Sequence, residues 1–154
     1  MIPSDFSPQF CQLVMADIDQ MLAIEEAVYA YPWSRGNFSD SFLSAYEAFG
    51  LRDAAGQLFA YFIVMPVVDE LHLLNIAVNK PFQGRGYARL LLEKLHCYAL
   101  ERQFQSILLE VRRSNARAID VYHSDGFAEI GLRKGYYPAD NQAREDALVM
   151  RRMC

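Results

Sequence analysis

The stretch Gln83-Gly84-Arg85-Gly86-Tyr87-Ala88 is the first place along the chain where residue types and spacing suggest chemistry. Two glycines and an arginine stand directly before a leucine-rich run, although glycine weakens a helix interior by roughly 1 kcal/mol relative to alanine. Placing them in the first turn explains them. The first N–H groups of a helix have no internal acceptor, and the helix dipole adds partial positive charge there. Glycines let those groups converge and keep Cβ atoms out of a ligand's way, and Arg85 adds a formal charge. Spacing alone leaves two readings open, an anion cradle or a plain turn joining strand to helix. The phosphate loop of nucleotide hydrolases is excluded, because Tyr87, Ala88 and Arg89 follow Gly86 where that loop carries Lys and Ser or Thr. The dinucleotide fingerprint fails too, for want of a further glycine and an acidic residue ending a second strand.

Other candidate groups are sparse. Cys11, Cys97 and Cys154 are odd in number and lack a C-x-x-C pair, so a reduced intracellular protein with neither disulfides nor a zinc site is expected. His72, His96 and His123 do not repeat at metal-ligand spacing, and no metal is expected. The 154 residues suit one domain over 1–154, with 53% hydrophobic and 22% charged residues. A net charge of -4 with scattered basic residues argues against coating nucleic acid, so no direct nucleic-acid partner is expected. The opening, MIPSDFSPQF, has no basic or apolar leader pattern, and no apolar run reaches the roughly 18 residues of a membrane span. No membrane partner and a cytoplasmic location are therefore expected, with the chain a monomer or weak dimer.

The elements that must position the candidates follow from periodicity. FCQLVM reads as a short opening strand. Asp17 is expected to cap IDQMLAIEEAVYA, whose stripe is Ile18, Met21, Leu22, Ile24, Glu25 and Val28. Pro32 ends that helix by forcing Tyr31 out of helical geometry, and Ser34 caps a second helix, RGNFSDSFLSA. AFGLRD, LFAYFIVMPV and ELHLLNIAV are strands separated by turn residues. The third leads into the glycine stretch, after which Leu91, Leu92, Leu95, Tyr98 and Ala99 form one helical face. SILLEV is a buried strand and SNARAIDVYHSDG a helix ended by Gly126, with FAEIGLRKGYY and EDALVMRRM as closing strands. This order predicts an α/β (α+β) fold, a mixed sheet with helices on both faces and a parallel strand-helix-strand unit in the middle.

Gln83 to Ala88 also match the Q/R-x-x-G-x-G/A signature of the GNAT family of N-acetyltransferases, and the chain resembles that family along nearly its whole length. Members close to the type protein often carry glycine where Ala88 stands; the signature admits alanine. LLEVRRSNARAIDVYHSDGFAEIGLRKGYYP, YPWS and REDALVM resemble the branch that acetylates the N-terminal alanine of a small-subunit ribosomal protein. The resemblance implies the GNAT fold, with a mostly antiparallel twisted sheet, and acetyl-CoA as co-substrate. It implies that Gln83, Gly84, Arg85, Gly86, Tyr87, Ala88 and Asn115 contact the cofactor, and that Ile76, Ala77 and Val78 do so through their backbone.

The same resemblance implies that Glu110 is the general base and Tyr122 the general acid. Acetyl transfer to an amine needs a proton removed from the ammonium and one delivered to the departing thiolate; a partly buried carboxylate makes a better base, and a tyrosine in a dry cleft can serve as the acid. Tyr31, Trp33, Tyr136 and Tyr137 are expected to line a groove for the N-terminal peptide of a ribosomal protein, with Glu25 a candidate to hold its ammonium. Packing is the ordinary fate of such aromatic residues, helix capping that of Asn115, and a salt bridge that of Glu25 or Glu110. Two further readings keep the fold: acetylation of a small amine or a lysine side chain, and a non-catalytic acyl-CoA-binding module. The second has no need of both Glu110 and Tyr122.

Overall fold

The structure is a computed structural model that describes residues 7–154; residues 1–6, which open the segment read for a leader, lie outside the described residues. The strands are β1 (Gln9–Gln12), β2 (Glu47–Arg52), β3 (Leu58–Val67), β4 (Glu70–Val78), β5 (Ser106–Arg112), β6 (Ala128–Pro138) and β7 (Arg144–Met153). The helices are α1 (Ile18–Val28), α2 (Arg35–Leu43), α3 (Tyr87–Glu101) and α4 (Ala116–Asp125). The strands form a seven-stranded sheet in the order β1-β2-β3-β4-β5-β7-β6. Pairing is antiparallel for β1 with β2, β2 with β3, β5 with β7 and β6 with β7, and parallel for β4 with β5. Parallel neighbours need a crossover, which α3 supplies. The expected mixed, mostly antiparallel sheet is what forms.

The chain packs as two compact units, one comprising the segment up to Val64 with Asn75–Leu91, the other Met65–Leu74 with Leu92–Cys154. In the first, Leu58 to Val64 are all buried, the pattern of a strand covered on both faces. Ile18, Met21, Ile24 and Glu25 form the buried side of α1, while Leu22 and Val28 are half-buried. Ser34 caps α2 by accepting the Asn37 N–H at 3.1 Å, as its residue type predicts. Asp17 does not cap α1. Its carboxylate turns back to the Val14 N–H at 2.8 Å and pairs with Arg52 at 2.7 Å, because a short 3-10 turn over Met15–Asp17 precedes the helix and puts Asp17 in helical backbone geometry.

In the second unit, Ile107, Leu109 and Val111 of β5 are buried with Ala147 and Met150 of β7 and with Leu92, Leu95 and Ala99 of α3. The parallel pairing of β4 with β5 runs from Glu70↔Ser106 to Leu73↔Leu109. On its other edge β5 pairs with β7 along its whole length, from Ser106↔Met153 to Arg112↔Ala147, with Glu110 opposite Val149. Gly126 ends α4 at φ 106°, a left-handed cap that glycine adopts without Cβ strain. Among the described residues, no helix is long and apolar enough to cross a membrane.

Candidate functional site

The glycine loop is built on aromatic packing. Phe82 stacks on Phe59 with centroids 4.0 Å apart, and Tyr87 meets Phe59 edge-on at 4.9 Å. Phe59 is itself buried, so both ends of the loop are tied to the β3 core. Gly84 and Gly86 lie between those anchors at φ 74° and 86°, in the left-handed region that a Cβ disfavours. A Cβ built on Gly86 would point into open space, with nothing within 4 Å. The backbone ladder of α3 opens with the Leu90 N–H on the Gly86 carbonyl at 3.1 Å. Helix geometry therefore leaves the N–H groups of Tyr87, Ala88 and Arg89 without intrahelical acceptors. N–H groups without intrahelical acceptors, left-handed glycines and open space at Gly86 suit the diphosphate of a coenzyme.

Other hydrogen bonds fix the loop's approach. The Gln83 side-chain amide donates to the Val78 carbonyl at 2.9 Å, and the Tyr29 hydroxyl donates to the Ile76 carbonyl. Two of the three backbone positions expected to meet the coenzyme's pantetheine arm thus have carbonyls already engaged. Ala77 between them is buried.

Glu25 is buried, at 2% exposure, and its carboxylate is a hub. Oε1 accepts from the Tyr61 hydroxyl and from Asn75 Nδ2 at 2.9 Å, and Oε2 accepts the Trp33 N–H at 2.9 Å. Burial, then the neighbouring Glu25 charge, pushes the Tyr61 hydroxyl far above its ordinary range, so it stays a donor. Glu25 therefore organises the turn that presents Tyr31 and Trp33. Trp33 packs on Phe38 at 5.3 Å and Tyr31 is exposed.

The proton-handling candidates of the second unit form a cluster. Glu110 Oε1 pairs with Arg133 Nη1 at 2.9 Å, whereas Oε2 is buried and accepts no hydrogen bond among the described residues. A salt bridge is the ordinary fate of such a glutamate, but the sequence does not single out Arg133 as its partner. Arg133 stacks over Tyr136 at 4.7 Å, Tyr136 meets Tyr137 edge-on at 4.9 Å, and Arg112 lies 4.5 Å over the Tyr137 ring. Burial raises Tyr137 first, followed by the Glu110 charge, with smaller effects from Tyr136, Arg112 and Tyr122. That one hydroxyl feels both Glu110 and Tyr122, so Glu110, Tyr122, Tyr136 and Tyr137 lie near one another. Tyr122 is buried against Phe127, and burial pushes its hydroxyl up to about 12. Asn115 caps α4 through the Ala118 N–H at 3.2 Å.

Arg133, Arg112 and Glu145 are the members that sequence reading missed. Glu145 accepts from the Ser114 N–H at 2.9 Å and from Arg112 at 3.2 Å, tying the turn before α4 to β7. Strict alternation along a strand sends Arg133 and Tyr136 to opposite faces. The register of β6 against β7 slips between Arg133 and Tyr137, and Gly135 occupies the irregularity at φ 58°. Its N–H is held by Asp146 Oδ1 at 2.9 Å. Such a bulge re-aims side chains, and the glycine in RKGYY is the trace of it that the sequence carries.

A mostly antiparallel sheet with a glycine loop opening the helix after β4 is the frame of a CoA-dependent acyltransferase, and comparison with known proteins agrees. Residues 18–127 match the Acetyltransferase (GNAT) family, and the chain belongs to that family, whose members use acetyl-CoA. It is 39% identical over 138 residues to the [ribosomal protein bS18]-alanine N-acetyltransferase of Escherichia coli K12, covering 90% of this chain and 92% of that one. The enzyme of the same name from Salmonella typhimurium is 40% identical over 138 residues, covering 90% and 92%. The crystal structure of the ribosomal-protein-S18-alanine N-acetyltransferase from Escherichia coli superposes with a TM-score of 0.89 at 37% identity, over 96% of this chain and 94% of that one.

Proposed function

We propose that this chain transfers the acetyl group of acetyl-CoA to the α-amino group of an N-terminal alanine, that of ribosomal protein bS18, by direct attack in a ternary complex. The observation that carries this reading is the cluster in the second unit. It combines a carboxylate oxygen that accepts no hydrogen bond among the described residues and a phenol that burial keeps protonated. One group can accept the ammonium's proton and the other can supply one to a thiolate. The acceptor is taken from the activity for which the relatives are named.

In this reading Gly84, Arg85, Gly86, Tyr87 and Ala88 bind the diphosphate through backbone N–H groups, with Gln83 shaping the loop and Asn115 a further contact. Ile76, Ala77 and Val78 orient the pantetheine arm through their backbone. Acetyl-CoA supplies a thioester whose carbonyl is open to attack by an amine. Glu110 takes a proton from the acceptor's ammonium, freeing the nitrogen lone pair. Tyr122 gives its phenolic proton to the leaving sulfur. Tyr136 and Tyr137 flank Glu110 and contact the first residues of the peptide, and Tyr31 and Trp33 provide further acceptor contacts. Glu25, with its three donors, supports that turn rather than holding the ammonium.

The test is CoA release by the purified protein, given acetyl-CoA and a short peptide with the N-terminal sequence of bS18 beginning at alanine. The control is the same peptide with a blocked N-terminus and its lysines intact. Turnover of the free peptide alone supports the proposal. Turnover of both peptides at equal rates overturns the α-amine assignment and moves the acceptor to lysine.

A further inference from the structure

The two oxygens of Glu110 are in different states. Oε1 is held by one N–H of Arg133 at 2.9 Å, while Oε2 is buried and accepts no hydrogen bond among the described residues. A buried acceptor without a donor is unfavourable, and for a carboxylate on the reaction path it marks where an incoming N–H belongs. The geometry of the ion pair leaves that position open. A bidentate fork would occupy both oxygens; here a single N–H meets a single oxygen.

The Arg133 side chain is 54% exposed, so its pairing contributes little to stability. Its placement is nevertheless specific. The guanidinium lies over the Tyr136 ring at 4.7 Å, and the bulge at Gly135 brings Arg133 and Tyr136 together. A strand irregularity and a stacked ring therefore place Arg133, whose ion pair engages one carboxylate oxygen and leaves the other.

We propose that Arg133 is a positioning residue for the transfer: by holding Oε1 it aims Oε2 at the primary ammonium of the acceptor. This rests on the reading of Glu110 as base. Arg133 touches neither reacting group and acts through Glu110 alone.

The test is steady-state CoA release with acetyl-CoA and the alanine-first peptide, comparing the unaltered protein with R133Q, R133K, E110Q and the double variant. R133Q is expected to lower kcat roughly tenfold to a hundredfold, the scale of a misplaced catalytic group, with KM for acetyl-CoA unchanged. R133K recovers most of the rate, because one ammonium N–H can replace the single contact to Oε1. In the E110Q background R133Q has no further effect, since coupled residues are not additive. The inference is overturned if R133Q retains the full rate while E110Q is slow, if R133K is as slow as R133Q, or if R133Q costs as much without Glu110 as with it. E110Q at the full rate overturns the base reading itself, and this inference with it.

Discussion

The carboxylate of Glu25 meets the backbone N–H of Trp33 at 2.9 Å, although the acid is buried and the tryptophan belongs to the turn beyond the helix end. One side chain thereby fixes how α1 hands over to α2. It also binds Tyr61 of β3 and Asn75 of β4, and a buried carboxylate is tolerated because donors satisfy it.

Removing that carboxylate strands three buried or half-buried donors. Glu25→Ala is expected to destabilise the fold by roughly 3 kcal/mol, from unsatisfied groups that each cost about 1–3 kcal/mol, partly relieved by relaxation. Urea unfolding checks this as a lower midpoint at unchanged slope. An unchanged midpoint would show that the network is dispensable.

Tyr122→Phe keeps the ring packing against Phe127 and removes only the hydroxyl. Its kcat is expected to fall on the order of a hundredfold, the usual contribution of a general acid, with little change in acetyl-CoA affinity. Stopped-flow acetyl transfer and a binding titration on the same variant separate the two effects. Retention of the full rate would remove Tyr122 from the acid role.

The same hydroxyl makes an alkaline prediction. Its value in the fold, about 12, lies above the ordinary tyrosine value of 10.0. The unfolded chain therefore releases this proton first, and the stabilisation present below pH 10 is lost as pH rises toward 12. From Tyr122 the loss amounts to about 2–3 kcal/mol. Urea midpoints taken across this window should fall less steeply for Y122F than for the unaltered protein, and parallel curves would contradict the buried environment.

Gly86→Ala should weaken CoA about tenfold or more by placing a methyl group where the diphosphate is proposed to lie. The left-handed backbone adds a stability cost of about 1 kcal/mol. Calorimetric titration with CoA reads the first effect and thermal unfolding without ligand the second. If affinity is unchanged while stability falls, the loop is a plain turn.

Much of the scaffold was legible because its signals are local. β3 and β4 span the apolar runs bounded by turn residues, and α4 lies between the Asn115 cap and Gly126. Asp17 was misread because a cap is judged by residue type, while a 3-10 turn just before the helix claims the same side chain. The site was half legible. Glu110 and Tyr122 could be singled out through family resemblance, but the Arg133 ion pair depends on a bulge that breaks the alternation from which strand faces are read. Glu25 was visible on the buried face of its helix, yet its partners Tyr61 and Asn75 lie on later strands and no local pattern announces them.

Gln83, the first letter of the glycine signature, turns its amide inward to the Val78 carbonyl at 2.9 Å, and its own N–H bonds Lys80 at 3.2 Å. The residue is a brace across the bend, joining the end of the strand to the start of the loop. The two side chains that the signature admits here, glutamine and arginine, are both long and both end in N–H donors. A brace of this kind explains the choice without any contact to the coenzyme: the position selects for reach and for a hydrogen to give. Glutamate, equal in length but without that hydrogen when ionised, would leave the bend unfastened.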